Sequence, residues 1–287
     1  MRCLLLAAAS LFLLAAAPPP APAAPAGKAI VIGKSYRLRD AGAGVERVVN
    51  VYLPHGYAKA PGKAYPVLYL IDGGVDQDFV HIVGTSQLGG AWGRQQEAIV
   101  VGVETKDRRS ELVGPTRDPA LLAKYPTAGH SAAFRRFLRV TVKPFVAANF
   151  RTNGQDGVIG ESLAGLFIFE TWLREPDLFG AYAAISPSLW WDKEALSREA
   201  ATLIGPRQAG KRLYLATADE GPDMKAPVDR VVAALGRARN WCYAPRGDLT
   251  HATVYHAVSP TALQFLFPPQ TPPDPQSGFE ISCSKKS

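Results

Sequence analysis

The sequence predicts an α/β three-layer sandwich whose mostly parallel central sheet begins with an antiparallel hairpin. Short, wholly apolar runs recur along the chain, and such runs are typical of strands buried on both faces of a parallel sheet. Stretches with helical spacing alternate with these runs after the hairpin, which indicates helices on both faces of the sheet. No internal repeat and no linker divides the chain, so we expect one domain.

The elements follow this pattern in order. The N-terminal hairpin is predicted at residues 29–39 and 47–53, with Gly42 and Gly44 in its turn. Further strands are predicted at residues 66–71, 98–103, 158–159, 182–185 and 213–216. Helices are predicted at residues 132–149, 193–203, 227–238 and 260–267. Pro144 lies inside the first of these helices, so we expect a kink or a break there.

The first residues have the pattern of a secretory signal. Arg2 precedes an apolar stretch at residues 3–17, and a Pro/Ala run follows it. A positive start, an apolar core and small residues before the cleavage site are typical of signal peptides, and we expect cleavage after Ala23 or Ala26. The chain is therefore divided into a signal peptide (1–26), an α/β domain (27–268) and a Pro-rich C-terminal tail (269–287). We expect a soluble periplasmic or secreted protein without stable membrane insertion.

Composition excludes several classes of function. The net charge is +7, but the basic residues occur in scattered pairs rather than in a patch with aromatic residues, so no nucleic-acid partner is expected. No Cys-x-x-Cys or His-Glu-x-x-His spacing occurs, so neither a metal site nor a cofactor is expected. Cys242 and Cys283 remain after export, and two cysteines in an oxidising compartment usually form a disulfide. The alternative is a buried thiol at Cys242 and a free Cys283.

The candidate nucleophile, Ser162, lies in the hexapeptide GESLAG at residues 160–165. An apolar run precedes it and a stretch with helical spacing follows, which is the layout of a nucleophile elbow. Small neighbours are required because the helix passes close to the strand. Ala164 stands where the usual Gly-x-Ser-x-Gly pattern has its last glycine. The alternative is an ordinary strand-to-helix turn in which the serine caps the helix.

A serine nucleophile needs a histidine to accept its proton. In this sheet topology the chain order is serine, acid, histidine, which leaves His251 and His256. We favour His251, in a polar loop predicted to precede the C-terminal helix, over His256, which we expect to pack near that helix. The acid should follow the strand at 213–216, where we favour Glu220. Asp219 and Asp223 remain alternatives, as does an arrangement without an acid.

Backbone amides are the expected donors to the oxyanion of the reaction. Leu163 follows the nucleophile and supplies one amide. The second is expected from Gly73 or Gly74, in the loop after the strand at 66–71, where glycine lets the backbone approach the substrate. The alternative is that these two glycines form a plain turn.

Four segments together resemble a known family, the esterase D-like α/β-hydrolases. They are VYLP at 51–54, YPVLYLIDG at 65–73, GESLAG at 160–165 and SPSLWWD at 186–192. The family includes the catechol-siderophore trilactone esterases, the S-formylglutathione hydrolases and the feruloyl esterases, and SPSLWW is most similar to the siderophore branch. The resemblance implies an α/β-hydrolase fold, a Ser162–His251 catalytic centre, and a substrate cleft lined by Trp190 or Trp191, although either tryptophan also suits a core position.

Together these residues predict an exported serine ester hydrolase that works through an acyl-enzyme on a small-molecule ester of siderophore, aryl or carbohydrate type. One alternative is an acyltransferase that passes the same acyl group to an alcohol or a sugar. Another is a binding protein that keeps the fold without turnover. The oligomeric state does not follow from the sequence.

Overall fold

A nine-stranded sheet organises the chain in the computed structural model, which describes residues 27–236 and 238–286. The predicted signal peptide lies outside the described residues. The strands are β1 (Lys34–Asp40), β2 (Val45–Tyr52), β3 (Tyr65–Ile71), β4 (Ile99–Val103), β5 (Thr152–Glu161), β6 (Ala181–Ile185), β7 (Arg212–Ala218), β8 (Trp241–Arg246) and β9 (Lys285–Lys286).

The strand order is β1-β2-β4-β3-β5-β6-β7-β8-β9. The pairs β1–β2, β2–β4 and β8–β9 are antiparallel, and the other neighbours are parallel. This confirms the predicted class, a mostly parallel sheet that begins with an antiparallel hairpin. Because β3 to β8 run in one direction, the loops after their carboxyl ends meet at one edge of the sheet, where sites in such folds form.

Helices cover both faces of the sheet. They are α1 (Phe79–Ala91), α2 (Arg108–Glu111), α3 (Pro119–Lys124), α4 (Ser131–Phe137), α5 (Lys143–Asn149), α6 (Leu163–Arg174), α7 (Trp191–Leu203), α8 (Pro222–Leu235) and α9 (His251–Leu266). A π-helical segment, Leu138–Val142, joins α4 to α5 directly before Pro144. The helix is therefore irregular just before Pro144, as the expected kink requires, but it is not interrupted.

The side-chain alternation of β3 separates two hydrophobic layers. Val67, Tyr69 and Ile71 belong to one cluster, which includes residues of α4 and α6. Leu68 and Leu70 belong to the other, which includes residues of α1 and α9. Both clusters are buried, so every residue of β3 is withdrawn from water. This explains why the strand is apolar throughout.

Several helices differ from the sequence prediction: α2 and α3 were not predicted, and α8, predicted at 227–238, begins at Pro222 and ends at Leu235. Two further differences, in α1 and α9, have a clear physical reason. The sequence gives no expectation for α1, which contains three glycines and no Asp, Glu, Lys or Arg. The C-terminal helix, predicted at 260–267, begins at His251 instead and contains Pro260 in its interior. Burial of Val254 and Val258 against the sheet outweighs the missing amide of the proline, so the helix continues through it.

A disulfide joins the C-terminal segment to the sheet. Cys242 in β8 and Cys283 are bonded, with their Cα atoms 5.3 Å apart, which confirms the predicted pairing. Among residues 27–236 and 238–286, no helix has the length and apolar character needed to cross a membrane.

Candidate active site

Ser162 occupies the sharp turn between β5 and α6. Its φ of 61° and ψ of −117° are unusual for a residue with a side chain. The turn is held by the Ser162 amide, which donates to the Ile185 carbonyl at 3.0 Å. Strain of this kind at a well-packed position is typical of functional sites, and it is the backbone that a nucleophile elbow requires.

Close packing explains the small residues around this turn. A Cβ added at Gly160 would lie 2.7 Å from the Cβ of Ala164, closer than real Cβ contacts. Position 164 thus tolerates a methyl group only because position 160 has none. The departure from Gly-x-Ser-x-Gly at Ala164 is compatible with the elbow.

His251 and Glu220 meet at the same edge of the sheet. Nδ1 of His251, the first residue of α9, lies 2.5 Å from Oε1 of Glu220, in the loop after β7. The hydrogen bond with Glu220 raises the pKa of His251, and partial burial acts against it. The predicted polar loop is thus the first turn of a helix, which brings the imidazole to the carboxylate.

Among the described residues, no hydrogen bond or ion pair joins the other candidate acids or the other candidate base to this pair. Asp219 Oδ1 accepts from the Gly221 amide at 3.2 Å, and Asp223 lies in the first turn of α8. His256 faces His81 of α1, with Nδ1 and Nε2 of the two rings 3.2 Å apart. Of the two histidines considered, His251 is the one bonded to a carboxylate in the loop after β7.

The Ser162 hydroxyl has a partner other than the histidine. Its Oγ lies 3.2 Å from Oγ of Ser188, and no hydrogen bond joins it to His251 in the described part of the chain. Catalytic hydrogen bonds are often long before substrate binds and shorten in the complex. Ser162, Glu220 and His251 thus follow or begin elements that end at the same edge of the sheet, and the Ser162 hydroxyl is paired there with Ser188.

The two predicted sources of oxyanion donors differ. The Leu163 amide opens α6 and has no acceptor among the described residues. The Gly73 amide donates to the Val103 carbonyl at 2.9 Å and the Gly74 amide to Gln77 Oε1 at 2.8 Å. Both glycine amides are thus engaged, contrary to their expected role.

Packing rather than chemistry explains Gly73. A Cβ at this position would lie 2.3 Å from the Cα of Gly102 in β4. The glycine therefore lets the loop after β3 pass directly over the neighbouring strand. This close approach involves residues far apart in sequence, which the local pattern does not reveal.

The two tryptophans have different environments. Trp191 is 5% exposed and its indole Nε1 donates to the Gly114 carbonyl at 3.1 Å, so it belongs to the core. Trp190 is 40% exposed, with its ring centroid 5.9 Å from that of Trp191. Trp190 is therefore the tryptophan of the pair that is open to solvent.

Sequence reasoning missed two further acids, Glu161 and Asp78, close to the pair formed by His251 and Glu220. Burial raises the pKa of Glu161 to about 7, with His251 lowering it and the carboxylates of Asp78 and Glu220 raising it. Burial also raises the pKa of Asp78 to about 6. Glu161 Oε1 is buried without a hydrogen-bond partner among the described residues. The position of Glu161 directly before Ser162 was the one feature of the sequence that could have indicated its place near the site.

Comparison with known proteins decides the family. The family model described as "Putative esterase" matches residues 41–256, about three quarters of the chain. The chain belongs to this esterase family. The match includes β2 through the first turns of α9, and with them Ser162, Glu220 and His251.

Curated relatives of the chain include named siderophore esterases. The ferri-bacillibactin esterase BesA of Bacillus subtilis is 28% identical over 167 residues, which are 51% of this chain and 56% of BesA. The siderophore enterobactin esterase of Emericella nidulans is 26% identical over 170 residues, which are 50% and 53% of the two chains. The matches thus span about half the length of these relatives.

Solved structures share the fold over a longer stretch. An IroE-like serine hydrolase from Shewanella oneidensis has a TM-score of 0.67 and 27% identity, and the match covers 82% of this chain and 80% of that one. The siderophore hydrolase EstB from Aspergillus nidulans has a TM-score of 0.70 at 19% identity, over 87% and 100% of the chains. The fold is therefore that of the α/β-hydrolases, as the sequence resemblance implied.

Proposed function

We propose that this protein is an exported serine ester hydrolase that works through an acyl-enzyme on Ser162. The observation that carries the proposal is the hydrogen bond between His251 Nδ1 and Glu220 Oε1, formed at the edge of the sheet where the strained turn presents Ser162. A carboxylate that holds a histidine, beside a serine in an elbow, is the arrangement that activates a hydroxyl as a nucleophile.

In the proposed reaction, Ser162 Oγ attacks the ester carbonyl carbon while Nε2 of His251 accepts its proton. Glu220 keeps the proton of Nδ1 in place and stabilises the imidazolium that forms. The Leu163 amide donates to the oxyanion of the tetrahedral intermediate. Collapse of that intermediate expels the alcohol, which takes the proton from Nε2. Water then attacks the acyl-enzyme by the same steps and releases the acid and Ser162.

The substrate we propose is a siderophore-type ester. Two curated relatives are named as siderophore esterases, and the half-exposed Trp190 gives an aromatic surface suited to an aryl group. The net charge of +7 is compatible with an anionic substrate. Simple aryl and carbohydrate esters remain the other substrates to be tested.

Export is supported by two independent features. The pattern of residues 1–26 is that of a signal peptide, and a disulfide joins Cys242 to Cys283. Disulfides persist in oxidising compartments such as the periplasm or the outside of the cell. We therefore propose that the mature enzyme acts there.

The test compares turnover of p-nitrophenyl esters of graded acyl length with that of a catecholate trilactone, in ferric and iron-free form. We expect preferred cleavage of the trilactone, and a loss in kcat of roughly 10⁴- to 10⁶-fold in Ser162→Ala. More than about a tenth of wild-type turnover in that variant would rule out the nucleophile. Products esterified to an added alcohol or sugar, in preference to free acid, would assign acyl transfer instead.

A further inference from the structure

The segment Ser186-Pro187-Ser188, between β6 and α7, contacts two of the three proposed catalytic residues. Both serines are buried, with 0% and 4% of their surface exposed. The Ser186 hydroxyl donates to Glu220 Oε1. The Ser188 amide donates to the Ser162 carbonyl at 3.1 Å, and its hydroxyl lies beside Ser162 Oγ. One tripeptide thus touches both the acid and the nucleophile.

Ser186 and His251 share one acceptor atom. Oε1 of Glu220 accepts from the Ser186 hydroxyl and lies 2.5 Å from His251 Nδ1. The His251 side chain is 49% exposed, whereas that of Glu220 is 12% exposed. About half of the imidazole is open to water, so its direction depends in good part on where the carboxylate is held.

The backbone at Ser186 is kept in an unfavourable conformation. Its φ is 42°, in the left-handed region that few residues with a side chain adopt. Its amide donates to the Ala216 carbonyl of β7 at 2.8 Å, which anchors the turn beside the strand that leads to Glu220. Strain retained at such a position indicates that the side chain has a task there.

We propose that Ser186 is a positioning residue, whose hydroxyl fixes the Glu220 carboxylate so that it holds His251 in its catalytic orientation. This inference rests on the proposed function, since it assigns a role within the same catalytic group. Ser186 itself touches neither the nucleophile nor a reacting atom. It acts through Glu220. The Glu220 carboxylate thus has a second hydrogen-bond partner besides His251, which a simple triad does not include.

The pH dependence of turnover reports on this role. The hydrogen bond with Glu220 is the largest contribution that raises the pKa of His251, the charge of Glu161 raises it further, and Arg108 lowers it. Because the neutral imidazole is the base, turnover increases as pH rises through this pKa. A Glu220 carboxylate freed from Ser186 holds the imidazole less well, so the pKa of His251 falls. The acidic limb of the pH profile, which is the range where turnover rises with pH, then moves to lower pH.

The test uses Ser186→Ala, Ser186→Gly and, as a matched control, Ser188→Ala, each normalised to active sites titrated with a fluorophosphonate. We expect both Ser186 variants to lose roughly 10- to 100-fold in kcat and to shift the acidic limb down by about half a pH unit or more. Ser188→Ala should leave the limb in place. Ser186→Gly should melt above Ser186→Ala, because glycine adopts the left-handed backbone freely.

Three results would overturn the inference. The first is a wild-type kcat in either Ser186 variant. The second is an acidic limb of the pH profile that does not move while the number of active sites falls, which indicates a structural role alone. The third is a shift of the acidic limb in Ser188→Ala that equals the shift in the Ser186 variants. Ser162→Ala separates this inference from the proposed function. If Ser162→Ala stays active, the proposed function fails, whereas if it is inactive and Ser186→Ala is unimpaired, only the positioning role fails.

Discussion

Replacing Glu161 by glutamine should make the protein more stable at pH 8 than the wild type, but not at pH 4.5. The carboxyl is partly buried next to Ser162, and this burial raises its pKa from near 4.5 to about 7. In the unfolded chain the group ionises first as pH rises, so the folded state binds more protons between these values. Stability contributed by the wild-type carboxyl therefore declines from about pH 4.5 to pH 7 and stays low above it.

The magnitude follows from this pKa difference. One unit of pKa corresponds to about 1.4 kcal/mol, so a rise from 4.5 to about 7 gives an upper bound of about 3.5 kcal/mol. The carboxyl is only partly buried, and solvent screening reduces this to on the order of 1–2 kcal/mol. Glutamine has a similar shape and no charge, so the variant avoids this cost at every pH.

Urea unfolding of both proteins at several values between pH 4.5 and 8 measures the effect. The difference in free energy of unfolding should grow in favour of the variant as pH rises. Glu46→Gln, at an exposed position paired only loosely with Arg37 at 4.0 Å, is the control and should show little change. A difference for Glu161→Gln that stays constant with pH, or grows in the opposite direction, would refute the burial argument.

Three further predictions concern other parts of the chain. Lys193→Gly should stabilise the protein by about 0.5–1 kcal/mol, because Lys193 has a φ of 51° inside α7 and glycine adopts such a backbone freely. Ala201→Gly on the same helix is the control and should destabilise the protein by about 1 kcal/mol. A loss of stability in Lys193→Gly, measured by urea unfolding, would contradict the prediction. Cys242→Ser/Cys283→Ser should lose on the order of 3–4 kcal/mol, because the disulfide closes a loop with a sequence separation of 41 residues; an unchanged unfolding midpoint would show that the bond does not constrain the unfolded chain. His251→Ala should abolish ester turnover, while His256→Ala should mainly lower the melting temperature. The reverse pattern would show that His256, and not His251, is the base.

Much of the fold follows from local patterns in the sequence. The apolar run at 66–71 predicted β3 within one residue, because a strand buried on both faces leaves no room for polar side chains. The elbow hexapeptide likewise indicated the turn before α6. The helix α1 gave no such signal, since its glycines and sparse polar residues hide the helical period. The start of α9 was missed because Pro260 favours a helix start locally, whereas packing on the sheet continues the helix through it.

The site likewise has parts that local sequence patterns predict and parts that depend on contacts between distant residues. Ser162 was selected by its elbow hexapeptide, and Glu220 and His251 were selected by chain order and loop position, which the topology dictates. The roles of Gly73 and Gly74 depend on contacts with Gly102 and Gln77, which no local pattern contains. The contact of Ser186 with Glu220 joins residues 34 positions apart, and only the folded chain reveals it.

The claim that His251 and Glu220 activate Ser162 is tested most directly by labelling with a fluorophosphonate. Intact-mass and peptide analysis of the labelled enzyme should show one adduct, on the peptide that contains Ser162. Labelling should be slowed by orders of magnitude in His251→Ala and absent in Ser162→Ala. An adduct on another residue, or labelling of His251→Ala at the wild-type rate, would contradict the account.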